Sequence, residues 1–333
     1  MRDPAVDLIR AVAVVGVIAG HWLVTALVAG PDGFTVQSPL RWMPELAPVS
    51  WLLQTLGLFF FAGGFAAARS KTALWLKVRR LAIPVAVVVG VWGLIIIVSG
   101  MPDETSRTVI HLVVSPLWFL GVYVILQGLT PVFRWLDERL GAWAILIPTM
   151  LTIIGEFTLT EINVLAVWWA PWQAGVVMAR VGLQRAWGLP LLATGAVAYF
   201  VLVTYAGYPV SAVGGTGEAR SNLAPPSPAA LALAAAQIGL VLLLARPIRW
   251  RITNWLNRHA LALFLLHQSA LLTVTLLLGA FGVLPGLHTL PDHPMWVLAR
   301  AVWLPAFIIA LVGWAFALRA VPFGQTRSAQ RNH

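Results

Sequence analysis

Two side chains near the start of the chain are placed to act on one ligand. Arg10 and His21 stand 11 residues apart. On an α-helix that separation is about 1100°, roughly 20° past three full turns, so both project from one face about 16 Å apart. That face presents a cation at one end and an imidazole well inside the helix. An elongated anionic ligand entering from the cytoplasmic side could span them. The competing reading has Arg10 snorkelling to lipid phosphates beside Asp7, with His21 bonded to a neighbouring helix. A second pair, Lys77 and Arg80, sits three residues apart on one helical face and suits phosphate groups. It could equally contact anionic lipid. Trp118, within Pro116-Leu117-Trp118-Phe119-Leu120, is either an interfacial anchor or a stacking platform for an acceptor. His267, within Leu263–Gln268, is either a cross-helix bond or part of a site. Gly63 and Gly64 permit close helix approach or a local break. Glu156 reads as interfacial rather than catalytic. Haem would need His21 and His267 as its ligands, and helices begun at Ala5 and Ala260 put the two at different depths.

The elements that must carry these residues follow from composition. The chain has 333 residues, 59% hydrophobic and only 10% charged. A soluble domain carries about 25% charged residues, so an ordinary soluble enzyme and a disordered chain are both excluded. The net charge of +10 would suggest a nucleic-acid partner on a soluble protein; here it invites sorting by membrane side. There is no cysteine, which removes disulfides, thiolate catalysis and Cys-ligated metal. No metal and no permanently bound cofactor is expected. Both lysines, Lys71 and Lys77, sit in one polar stretch, which argues against a Schiff-base retinal protein.

Ten apolar runs read as membrane-spanning helices: about Ala5–Ala29, Pro48–Ala68, Leu81–Ser99, Ser115–Phe133, Ala142–Thr158, Ile162–Ala179, Trp187–Tyr205, Ala229–Ala245, Ala260–Phe281 and Met295–Leu318. Pro148 and Pro171 interrupt the fifth and sixth. The first run is too long for a signal peptide and is followed by another span. If the spans alternate from a cytoplasmic N-terminus, 18 of the 22 basic residues face the cytoplasm and 4 face outward. Net charge is then +14 inside and −4 outside, a distribution that obeys the positive-inside rule. The expected fold is an all-α, polytopic helix bundle in the cell (inner) membrane, with both termini cytoplasmic. Residues 1–320 form one domain and 321–333 a short polar cytoplasmic tail, with no fused extracytoplasmic domain. The Gly/Pro/Ser-rich stretch Gly207–Pro228 reads as a flexible outer loop.

The motifs together resemble the acyltransferase-3 family of integral membrane O-acyltransferases. Arg-x10-His is carried by Arg10 and His21, within Asp7-Leu8-Ile9-Arg10-Ala11. Phe59–Phe65 is similar to the family's FF-x-S-G-F, with Gly63 in place of Ser. Lys77–Pro84 resembles its RxxR-RxxP run, with Lys77 in place of Arg. Trp118-Phe119-Leu120 resembles its WFL, and Phe264–His267 its Y-x-x-H with Phe264 in place of Tyr. The matches keep the family's order over nearly the whole chain. The resemblance implies an acyl-CoA donor, with acetyl-CoA first in line. It also implies a hydroxyl on a carbohydrate, glycolipid or natural-product acceptor. Joined to the helix geometry, it makes His21 the general base, with Arg10 beside it in the catalytic set. Arg10, Lys77 and Arg80 then meet the CoA phosphates, and Trp118 and His267 stand on the acceptor side. The competing class is a multi-helix transporter of a small anionic or lipid-linked solute, which often shows repeated halves and midplane carboxylates. Neither is evident here. A membrane-bound sensor or scaffold would need neither histidine.

Overall fold

A computed structural model describes residues 3–218, 220–244, 250–321 and 323. It is 77% helical with almost no sheet. Eleven main helices follow in chain order: α1 (Pro4–Val24), α2 (Leu56–Ala68), α3 (Leu74–Ser99), α4 (Asp103–Val114), α5 (Trp118–Leu140), α6 (Leu146–Thr158), α7 (Asn163–Val181), α8 (Gly188–Tyr205), α9 (Pro228–Leu244), α10 (Arg251–Gly279) and α11 (Pro294–Ala317). Eight helical stretches among the described residues are long and apolar enough to cross a membrane. One of them, Asp103–Thr158, contains α4, α5 and α6, and α9 is a shorter apolar helix of 17 residues. Each of the ten apolar runs falls on one helix of this set.

Several boundaries differ from expectation: α2 begins at Leu56 rather than Pro48, α3 begins at Leu74 rather than Leu81, and α5 ends at Leu140 rather than Phe133; three further differences have a clear local reason. The first run does not stay helical to Ala29. Asp3 caps its start, accepting from the Ala5 amide at 2.9 Å. At Thr25 the backbone turns extended, and Ala26–Gly30 (β1) pairs antiparallel with Gly33–Gln37 (β2). The Pro31-Asp32-Gly33 turn, with Gly33 at a φ of 127°, needs the conformational freedom that only glycine has. The fourth run is preceded by an amphipathic helix, α4, whose polar first turn hid it from a search for apolar windows. The ninth run begins at Arg251 rather than Ala260, because a polar stretch of about two and a half turns precedes its apolar part.

The core lies where α2 meets α7. A Cβ on Gly64 would overlap the carbonyl of Trp172, and one on Gly175 the carbonyl of Phe61. These glycines therefore let the two backbones touch. Pro171 sits inside α7 without ending it. Trp168 and Trp172 are fully buried, and Phe60 stacks on Trp168 at 5.1 Å. At the Arg10-distal end the connecting segments interlock. Ala29 donates to the His288 carbonyl at 3.0 Å, and Phe34 donates to the Thr105 hydroxyl at 3.0 Å. Described residues of the Gly207–Pro228 stretch are cross-braced by hydrogen bonds. Asn222 donates to the carbonyls of Pro209 and Ser211 at 2.8 and 2.7 Å, and Trp51 donates to Val210 at 2.7 Å. Arg220 pairs with Glu156 and lies 3.7 Å from the ring centre of Tyr208. Burial, then Glu156, pushes the Tyr208 phenol up to about 12, so it stays protonated. Of the 321–333 tail only Val321 and Phe323 are described. Arg2, Arg246 and Arg249 also lie outside the described residues.

Candidate active site

His21 sits one turn before α1 ends and borders a cavity of about 360 Å³. The walls come from α1 (Val17, Val24), the segment leading into α2 (Leu53, Leu56), the start of α5 (Trp118, Phe119), the braced loop (Val213, Leu223) and Phe264 of α10. Its polar groups are few: His21, Ser50, Gln54, Thr55 and Ser115. Such a mostly apolar chamber with a few convergent polar atoms is the usual form of a small-molecule site. Gln54 is 6% exposed, and its amide nitrogen has no hydrogen-bond partner among the described residues. A buried donor of that kind ordinarily has a partner.

The strands of contact that fix His21 are short. Thr55 donates to the Ala13 carbonyl at 2.8 Å, and Gly16 leaves room for the Thr55 side chain, so α1 lies directly against the entry to α2. The Trp22 indole donates to the His267 carbonyl at 2.9 Å. Arg300, fully buried, gathers the end of α1: its Nε donates to the Trp22 carbonyl at 2.7 Å, Nη2 to Thr25, and Nη1 to Gly286 at 3.0 Å. A guanidinium on the last carbonyls of a helix also meets the negative end of its dipole. Arg300, one of the four basic residues that the alternation of spans puts on the outer side, is thus a buried structural side chain at the His21 end of the bundle.

The two intramembrane histidines are neighbours. Their ring centres are 4.9 Å apart, tilted at 46°. The expected difference in depth arose from starting the ninth helix nine residues late, which removes about 13 Å of helical rise. Rings in contact leave no space for a porphyrin iron between them. His267 is fully buried, and its Nδ1 bonds the Phe264 carbonyl. A carbonyl only accepts, so Nδ1 carries the proton and Nε2, buried without a partner among the described residues, keeps its lone pair. His21 is held differently: Gln268 of α10 places its amide nitrogen 3.0 Å from His21 Nδ1. The cavity is bordered by Phe264 and His21, with His267 behind them.

None of the basic candidates lines this cavity. Arg10 is half-buried and within electrostatic reach of Tyr123 on α5. Lys77 and Arg80, near the start of α3, are half-buried while the intervening Arg79 is exposed. The three side chains make no ion pair or hydrogen bond among the described residues. A cation half-withdrawn from water without an anion is costly, and the arrangement suits an anionic ligand. Arg180, by contrast, is paired in a fork with buried Asp137 at 2.7 and 2.8 Å. Trp118 is 40% exposed at the cavity mouth and near Trp168. Glu156 is engaged by Arg220 and, at 3.4 Å, by Asn163. Among the described residues no cluster of three or more His, Cys, Asp or Glu could hold a metal ion. Gln54 and Gln268 carried no sequence signal, because single amides in an apolar helix have no spacing rule.

The family model described as an acyltransferase domain matches residues 3–320. No protein of curated function and no solved structure matches the chain.

Proposed function

The chain belongs to the acyltransferase-3 family of membrane acyltransferases, and from that premise we propose that it moves an acyl group, acetyl first, from acyl-CoA to a hydroxyl on a carbohydrate, glycolipid or natural product. The observation that carries this reading is the division of α1. Its Arg10 end carries a half-buried cation with no salt bridge among the described residues, and its His21 end borders an apolar chamber. The CoA phosphates meet Arg10, Lys77 and Arg80 from the cytoplasm, and the pantetheine arm follows α1 towards His21. The acceptor enters the chamber from the opposite end, against Trp118, with His267 backing the base. His21 takes the proton of the acceptor hydroxyl as its oxygen attacks the thioester carbon. Direct transfer of this kind needs no cysteine nucleophile, and the chain has none. The enzyme resides in the inner membrane with both termini cytoplasmic, as the charge distribution favours.

The phosphate assignment has a direct test. Purified protein is titrated with CoA and with dephospho-CoA, which lacks one phosphate. Wild-type protein should bind CoA more tightly, and Lys77→Ala with Arg80→Ala should lose that preference and weaken CoA binding about tenfold or more. Unchanged CoA affinity in the double variant would remove both residues from the site.

A further inference from the structure

We propose that Gln268 is the positioning residue that decides which nitrogen of His21 carries the proton. This rests on the acyl-transfer reading above. Gln268 is 3% exposed; one end of its amide lies 3.0 Å from His21 Nδ1, and the other end, Oε1, is buried without a partner among the described residues. A half-turn of the amide therefore breaks no other hydrogen bond, and it exchanges a donor for an acceptor at Nδ1. With the NH2 group facing the ring, Nδ1 must accept and the proton sits on Nε2. With the carbonyl facing the ring, Nδ1 donates and Nε2 keeps its lone pair.

The second state is the one base catalysis requires. His21 Nε2 makes no hydrogen bond among the described residues and is not among the sealed, unpartnered atoms, and the ring borders the cavity. In the reaction the acceptor O–H proton passes to Nε2 as its oxygen bonds to the thioester carbonyl carbon. The tetrahedral adduct collapses with cleavage of the C–S bond, and the CoA sulfur leaves with the proton from Nε2. Throughout, Nδ1–H stays on the Gln268 carbonyl, which stabilises the transient imidazolium as an amide does in Cys-His-Asn sites. A neutral amide suits an apolar chamber, where an unpaired carboxylate would be costly.

Few other groups can confuse the assignment. Among the described residues the titratable side chain against His21 is His267. The approach to α2 and the start of α5 offer Ser50, Gln54, Thr55 and Ser115, and the braced loop offers apolar side chains. Arg300 of α11 is engaged with backbone carbonyls.

The test uses full-length protein in detergent with isotope-labelled histidine, read by nitrogen NMR, the His21 signal being assigned with His21→Gln. Gln268→Met fills the same space without hydrogen bonds, and Gln268→Glu replaces the amide with a carboxylate; thermal unfolding verifies that each is folded. Wild-type His21 should hold its proton on Nδ1 above its titration midpoint. Gln268→Met should shift neutral His21 towards the Nε2–H form and lower kcat tenfold or more at unchanged KM for acyl-CoA. Gln268→Glu should raise the His21 midpoint by at least one pH unit, and the acidic limb of the kcat/KM profile should follow. An unchanged tautomer and midpoint in both variants would overturn the proposal, as would a wild-type proton on Nε2. Wild-type protein that transfers no acyl group with any acceptor would instead sink the acyl-transfer reading, while the NMR result still decides whether Gln268 governs His21.

Discussion

Arg10 shows how much one helical period can tell. Eleven residues on an α-helix return a side chain to nearly the same face, so a shared face for Arg10 and His21 follows from the spacing before any tertiary contact. The structure adds that Arg10 has no ion partner among the described residues. Removal of its charge should therefore weaken the donor more than the fold. Arg10→Gln is expected to raise KM for acyl-CoA about tenfold or more, with Arg10→Lys intermediate because a point charge replaces the fork; steady-state kinetics at varied acyl-CoA measures both. What was not legible is Gln268. Its role depends on a contact with His21 across 247 positions, and no local pattern encodes such a contact.

At the scale of elements the apolar runs located every long helix, because bilayer thickness sets their length. They misplaced ends wherever a helix leaves the apolar zone. The polar start of α10 shifted His267, and the turn after Thr25 concealed β1 and β2. Gly63 and Gly64 were legible as a close-packing site, and the overlap of a Gly64 Cβ with the Trp172 carbonyl gives that reading its physical content. Two effects compete in Gly64→Ala. Helix propensity favours alanine by about 1 kcal/mol, whereas overpacking costs about 1–3 kcal/mol. The obstacle here is backbone that cannot rotate aside, so overpacking should win. A lower unfolding temperature in detergent is the expected outcome; an equal or higher one would show that α2 and α7 are not packed this tightly.

For the whole molecule the charge distribution becomes a division between two ends. The interlocked segments β1–β2, α4 and described parts of the 207–228 loop gather at the His21 end, while Arg10 lies towards the other end of α1 and Lys77 and Arg80 lie near the start of α3. The alternation of spans assigns these ends to opposite sides of the membrane, and the absence of cysteine makes this easy to measure. In intact cells, a membrane-impermeant maleimide should label Val210→Cys and spare Lys71→Cys; the reverse would invert the topology and with it the donor side. The central claim, that this acyltransferase uses His21 on an acyl-CoA donor, is tested most directly by incubating purified protein with radiolabelled acetyl-CoA and candidate hydroxyl acceptors, wild type beside a folded His21→Ala variant. Label should appear on the acceptor with matching CoA release, and transfer should fall about 10²–10⁴-fold in the variant. Undiminished transfer by His21→Ala would contradict it.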